Sequence, residues 1–169
     1  MSKRDLRKYL HGLEKEHLED QIILLYEKFP NVKKYYDFVF NPQEEKLIGE
    51  AKTKILNEYF PRKTKRARMR RSIARDFIKH FITLGVDPYL IADLMLFHIE
   101  TAQKYAAGKT IRFESFYKGV FLAFRQAVVY IDENSLNAEF AARLKFVSDA
   151  AASQRWPNRH DFNDLLLHN

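Results

Sequence analysis

The chain of 169 residues contains no cysteine. This absence excludes disulfides, thiolate nucleophiles and every cysteine-based metal site, and it fits a reducing compartment. We therefore expect a cytoplasmic protein.

Glycine and proline are also scarce, with five of each in the chain. No hairpin dipeptide such as Asn-Gly occurs, and no segment alternates strictly between apolar and polar residues over six positions. Apolar residues instead recur three and four positions apart, as on one face of a helix. The sequence predicts an all-α fold, a single domain over residues 1–169 built as a compact irregular bundle of about seven to eight helices.

Long hydrophobic runs are absent as well. The longest apolar tract, residues 89–97, is interrupted by Asp93 and is too short to cross a bilayer. The basic N-terminus is not followed by an apolar run of signal-peptide length. We expect neither a membrane partner nor export.

Motifs for catalysis, metals and cofactors are missing too. None of the six histidines forms an HExxH motif or pairs with a second histidine at a helical spacing that suits a metal. No glycine-rich phosphate loop, nucleophile elbow or dinucleotide fingerprint occurs. We predict no cofactor, no metal site, no catalytic residue and no enzymatic activity, although an enzyme of unrecognised type with scattered catalytic residues stays an alternative.

What the chain has in quantity is aromatic residues, with 14 Phe and 9 Tyr, and capping signals at helix starts. Ser2 and Asp5 are spaced as in a capping box. Two dipeptides, Asn41-Pro42 and Asp87-Pro88, are typical of an N-cap followed by the first helical residue. The aromatic content predicts a packed core, and the caps predict helix starts.

Positive charge is concentrated in one stretch, RKTKRARMRR, at residues 62–71. Residues 1–61 carry 11 Lys or Arg and 11 Asp or Glu, and residues 72–169 carry 11 and 11 again. The whole formal net charge of +7 therefore lies in this basic segment, which connects two predicted helices. A partner selected by charge should bind there.

We interpret the basic segment as a grip on the phosphate backbone of RNA or DNA, since arginine donates paired hydrogen bonds to phosphate. If the helix after it already begins near Arg66, Met69 continues the apolar stripe of that helix, and the arginines point away from the core. The predicted nucleic-acid-binding residues are Arg62, Lys63, Lys65, Arg66, Arg68, Arg70 and Arg71. No motif for reading a base sequence is present.

Other interpretations of this segment stay open. It is a solvated loop in one of them, or a loop paired with carboxylates such as Glu58 and Asp76. In another, it binds an acidic protein, and the chain is a helical protein–protein interaction module or a homo-oligomeric adaptor. The sequence leaves the oligomeric state open.

Several aromatic residues have two interpretations. Tyr59 and Phe60, directly before the basic segment, either stack on bases or anchor the core. Trp156 either presents an anchor to a protein partner or docks the last short helix onto the core. Core packing is the commoner role for such residues.

Six stretches together are similar to an uncharacterised family of small bacterial proteins, known only as a domain of unknown function. They are SKRDLRKYL, EDQIILLYEKF, VKKYYDFVFNP, AKTKILNEYFP, LGVDPYLIADLML and WPNRHDF, and they span nearly the whole chain. The resemblance implies a bacterial, cytoplasmic, stand-alone helical protein, and it supplies no catalytic residue.

Overall fold

A computed structural model describes residues 2–62 and 66–167. These residues form nine helices and no strand, so the all-α prediction is confirmed, with one helix more than the upper expected number. The helices are α1 Lys3–His11, α2 Lys15–Lys28, α3 Pro30–Phe40, α4 Glu44–Tyr59, α5 Arg71–Leu84, α6 Pro88–Ala106, α7 Glu114–Glu133, α8 Asn137–Ser153 and α9 Arg159–Leu167.

The chain divides into two compact units, Met1–Gln43 and Glu44–Asn169. In the first unit, the predicted capping box opens α1. The Ser2 hydroxyl accepts from the Asp5 N–H at 3.2 Å, and the Asp5 carboxylate accepts from the Ser2 N–H at 2.9 Å. These bonds satisfy amide groups that have no partner inside the helix. That the whole chain is one domain stays a prediction.

Helices α2 and α3 of the first unit pair through aromatic residues. The Tyr26 hydroxyl donates to Asp37 at 2.8 Å, and the Tyr26 ring meets Tyr36 edge-on with centroids 6.5 Å apart. Tyr36 in turn stacks on Phe40. None of the three helices of this unit has a buried residue, so the pairing leaves much apolar surface in water.

Helix α6 is the centre of the second unit, where it packs against α4, α5, α7 and α8. It buries 11 of its 19 residues, as its nearly continuous apolar sequence requires. Asp87 caps it as predicted, with its carboxylate accepting from the Tyr89 N–H at 2.7 Å, and Pro88 occupies the first turn.

An ion-pair cluster joins α6 to its neighbours. Arg143 of α8 donates to Asp93 at 2.6 Å and to Glu100 at 2.7 Å, and Lys52 of α4 also pairs with Asp93. Burial alone would raise the pKa of Asp93, but the hydrogen bonds from Lys52 and Arg143 outweigh it and leave that pKa lowered. The cluster fixes how the three helices meet.

Aromatic packing docks the last helix. Phe162 of α9 is fully buried and stacks on Phe124 of α7 with ring centroids 5.0 Å apart. Trp156 is 2% exposed and meets Phe162 edge-on, which confirms that this tryptophan packs in the core.

The predicted start of the fourth helix is wrong by two residues. Asn41 does not cap α4 but ends α3, where its N–H donates to the Asp37 carbonyl at 3.1 Å, and α4 begins at Glu44. Asparagine followed by proline suits a helix end as well as a helix start, so the dipeptide alone does not decide between them.

Candidate functional site

The basic segment is held by the end of α4. The Glu58 carbonyl accepts from the N–H groups of both Arg68 and Met69, each at 3.0 Å. Met69 has a φ of 53°, in the left-handed region that interrupts a helix. The condition that the helix already begins near Arg66 is therefore not met, and α5 begins at Arg71.

The side chain of Glu58 fixes the same segment a second time. Its carboxylate accepts from Arg70 Nε at 3.0 Å, from an Arg70 terminal nitrogen at 2.7 Å and from the Arg70 N–H at 3.3 Å. The side-chain hydrogen bond from Arg70 lowers the pKa of Glu58. Arg70, one of the predicted binding residues, thus pairs with Glu58, as the alternative interpretation of the segment expected. This pairing positions the residues next to Arg70.

Arg71, the first residue of α5, lies against α7 at Gly119. A methyl group added at Gly119 would lie 0.7 Å from an Arg71 terminal nitrogen. The guanidinium therefore occupies the space that any larger residue at this position of α7 would need. Among the described residues, no hydrogen bond or ion pair engages this guanidinium.

A cavity of about 590 Å³ opens beside Arg71. Its walls come from the basic segment and from α5, α6 and α7, and the described residues among them include four arginines and no carboxylate. The arginines are Arg68, Arg70, Arg71 and Arg75, and the apolar lining includes Ile78, Met95, Leu122 and Ala123. Positive charge and apolar surface therefore meet in one cavity.

A buried polar pair lies at this cavity. His98, which lines it, is 4% exposed, and its Nε2 lies 3.2 Å from the hydroxyl oxygen of Tyr59. Burial, with a smaller effect of the Arg71 charge, lowers the pKa of His98 to about 4. Burial also raises the pKa of Tyr59 to about 12, so both side chains are neutral at pH 7.

A second cavity, of about 420 Å³, shares four lining residues with the first: Arg75, Ile78, Met95 and Gln126. It adds Lys79 and Arg125, with Glu133 as the one carboxylate among its described residues. The two cavities therefore adjoin between α5 and α7, and together they are called the cationic groove below.

The structure brings together only part of the predicted set. Arg68, Arg70 and Arg71 line the cavity. Arg62 and Arg66 are exposed and do not line it, and Arg66 has a partner of its own. Lys63 and Lys65 lie outside the described residues.

Sequence reasoning missed Arg75 and His98. Arg75 falls beyond the basic segment, but it lies one helical turn after Arg71, and this spacing was a usable signal. His98 stands in an apolar helix sequence, with no signal that it faces a cavity. Tyr59 is 2% exposed, so the interpretation of this residue as a core anchor is confirmed. Phe60 packs edge-on against Tyr105 but is 37% exposed, so it is not a core residue.

Within residues 2–62 and 66–167, no three His, Asp or Glu side chains are grouped so that they could hold a metal ion. Within the same ranges, no helix has the length and apolar character needed to span a membrane.

Fold and cavity together define an all-α protein with an arginine-walled cavity beside its central helix. The chain belongs to the family of unknown function DUF6155, whose model matches residues 1–168. Searches of curated proteins and of solved structures found no match.

Proposed function

We propose that this protein binds nucleic acid without acting on it as an enzyme, through contacts to the phosphate backbone at the cationic groove. The observation that carries the proposal is the wall of the larger cavity, whose described residues include four arginines and no carboxylate. Arg70 pairs with Glu58, and the exposed Arg75 pairs with Asp76 at 3.4 Å. Among the described residues, Arg68 and Arg71 are left without a salt bridge, and cations within about 8 Å of one another repel at physiological salt unless an anion binds.

The geometry around Glu58 supports the proposal, because it holds the arginines in place before any ligand arrives. Three hydrogen bonds to the Glu58 carboxylate and two to its carbonyl fix residues 68–70. A preorganised site loses less conformational entropy on binding. Arg68 and Arg71, on either side of the fixed Arg70, are the residues we expect to contact phosphate.

The start of α5 adds neutral donors to this charge. Arg70 occupies the N-cap position without a side-chain cap, and Ser72 of the first turn lines the cavity. Amide groups in a first helical turn have no partner inside the helix and bind anions well. Backbone amides and guanidinium groups would therefore converge on one phosphate.

The test is fluorescence anisotropy of labelled single-stranded RNA and duplex DNA at several salt concentrations. A triple variant Arg68→Gln, Arg71→Gln, Arg75→Gln removes three cations of the groove and leaves Arg70 on Glu58. Its control, Lys15→Gln, Lys118→Gln, Lys145→Gln, removes three exposed cations elsewhere. We expect the log-log salt slope of binding to lose about 2.7 in the first variant, at about 0.9 per phosphate contact, and to stay unchanged in the second. An absence of wild-type binding at low salt would refute the proposal.

A second candidate function is self-association through the first unit, which would make the protein a homo-oligomeric adaptor. Ile22, Ile23, Leu24 and Leu25 of α2 are 44, 56, 46 and 44% exposed. Successive residues of a helix point about 100° apart, so these four make one turn of α2 apolar on every side. Exposed apolar surface of this extent is typical of interfaces.

We propose a second copy of the chain as the partner, because the charges of the unit are self-complementary. Helix α1 carries four Lys or Arg and one Asp, whereas α2 carries four Asp or Glu and two Lys. Sedimentation velocity over a range of concentrations should show a dimer that Ile23→Glu abolishes and Phe146→Glu, at an exposed position of α8, leaves intact. A wild type that sediments as a monomer at every concentration would refute this candidate.

A further inference from the structure

The larger cavity has a volume and an apolar lining that contact with a phosphate backbone does not require. Phosphates need only surface cations, yet here Ile78, Met95, Leu122 and Ala123 line the space beside the arginines. A volume of about 590 Å³ lies within the range of about 300 to 1,000 Å³ that is usual for small-ligand cavities. The cavity therefore fits a ligand that has an anionic end and a flat or apolar body.

We infer that this cavity accommodates one nucleotide, with its phosphate at Arg68 and Arg71 and its base against Met95 and Leu122. The inference rests on the proposed function, in which the nucleotide belongs to a single strand of nucleic acid. The added statement is that one nucleotide of this strand enters the cavity.

Two side chains in the cavity are suited to the polar edge of a base. His98 makes one hydrogen bond, to Tyr59 through Nε2, and its Nδ1 has no partner among the described residues. The side chain of Gln126 also has no hydrogen bond there, and it lines both cavities. An amide and an uncharged imidazole both donate and accept, as recognition of a base edge requires.

The arrangement favours a single strand over a duplex. In a duplex the bases are paired and stacked, and a protein reaches a whole base only by extruding it, at a cost of a few kcal/mol. A single strand presents unstacked bases, which proteins bind on apolar, aromatic and guanidinium surfaces. We therefore expect binding to single strands to be tighter than to a duplex of the same length.

The experiment compares a labelled 12-nucleotide single strand, its duplex and a free nucleoside monophosphate, by anisotropy and by competition. The variant Ala123→Trp fills the cavity without changing any charge, and Ala142→Trp is its control at an exposed position of α8. Thermal unfolding of both variants checks that they fold. We expect Ala123→Trp to weaken single-strand binding at least tenfold with an unchanged salt slope, and the control to bind as the wild type does.

The outcomes separate this inference from the proposed function. If single strand and duplex bind equally well and Ala123→Trp affects neither, the cavity does not take a nucleotide, although phosphate contact stands. If only the free nucleotide binds and Ala123→Trp abolishes that binding, the nucleotide site is supported and the function in nucleic-acid binding is overturned. If the wild type binds none of the three probes, both are overturned.

Discussion

The Arg70 guanidinium donates two hydrogen bonds to the Glu58 carboxylate, at 2.7 and 3.0 Å, and so ties the basic segment to the last turn of α4. The Glu58 side chain is 11% exposed and that of Arg70 is 50% exposed. The carboxylate of the pair is thus largely buried, whereas the guanidinium is half exposed to solvent. Arg70 is therefore the arginine that positions the segment, and Arg68 and Arg71 are the ones that we propose contact phosphate.

The first prediction concerns this pair. Glu58→Gln removes the charge but keeps one acceptor, so we expect the free energy of unfolding to fall by about 1 kcal/mol, less than a fully buried charged hydrogen bond contributes because Arg70 is half exposed. Urea unfolding measures the change. Glu50→Gln, at an exposed position of the same helix, should change stability by less than half as much.

Acid should weaken the same pair. Because the folded-state pKa of Glu58 is lowered from 4.5, its contribution to stability is present above pH 4.5 and is lost as the pH falls through the folded value. Urea unfolding from pH 6 down to pH 3 should therefore show a smaller acid loss in Glu58→Gln than in the wild type. Parallel curves for the two proteins would contradict the prediction.

His98 gives a second and separable pH effect. Its folded pKa of about 4, against 6.5 for a free histidine, means that only the unfolded chain binds the proton between these values. Stability should therefore fall as the pH drops from 6.5 to 4, by on the order of 3 kcal/mol in total. His98→Gln should flatten the curve in this range, whatever its effect at pH 7, and an unchanged slope would contradict the burial of the imidazole.

Gly119→Ala should weaken the binding of single strands without lowering the stability of the fold. The added methyl group meets only the end of the flexible Arg71 side chain, which can move away. Alanine is favoured over glycine inside a helix by about 1 kcal/mol, so the variant should unfold at an equal or higher urea concentration. Its affinity for single strands should nevertheless fall toward that of Arg71→Gln. Unchanged affinity would mean that Arg71 does not act from its place beside α7.

Phe162→Ala tests the docking of the last helix. Phe162 is fully buried among Phe121, Phe124 and Trp156, so its removal leaves a cavity and should cost about 3 to 5 kcal/mol. Thermal unfolding together with tryptophan fluorescence checks this, because Trp156 is the only tryptophan and lies in the same cluster. A loss below about 1 kcal/mol would show that α9 contributes little to the core.

The fold was largely predictable because its signals are local. The caps at Ser2 and Asp87 and the helical spacing of apolar residues act within a few positions, and the structure confirms them. Asn41 was assigned to the start of α4 although it ends α3, because the dipeptide Asn-Pro is compatible with both a helix start and a helix end.

The cavity was only partly predictable, because it depends on contacts between distant residues. The basic segment was visible as charge, but its path is set by Glu58, twelve positions before Arg70. His98 and Gly119 join the site only through the packing of α6 and α7, which no spacing in the sequence expresses.

The arginines that line the described cavity wall fall within eight consecutive residues, 68–75, whereas the buried apolar residues of the described core, apart from Ala74, lie outside this stretch. A short exchange within these eight residues would reverse the charge of the cavity and leave most of the core untouched. The charge of the cavity wall and the packing of the helices are thus encoded in largely separate parts of the chain.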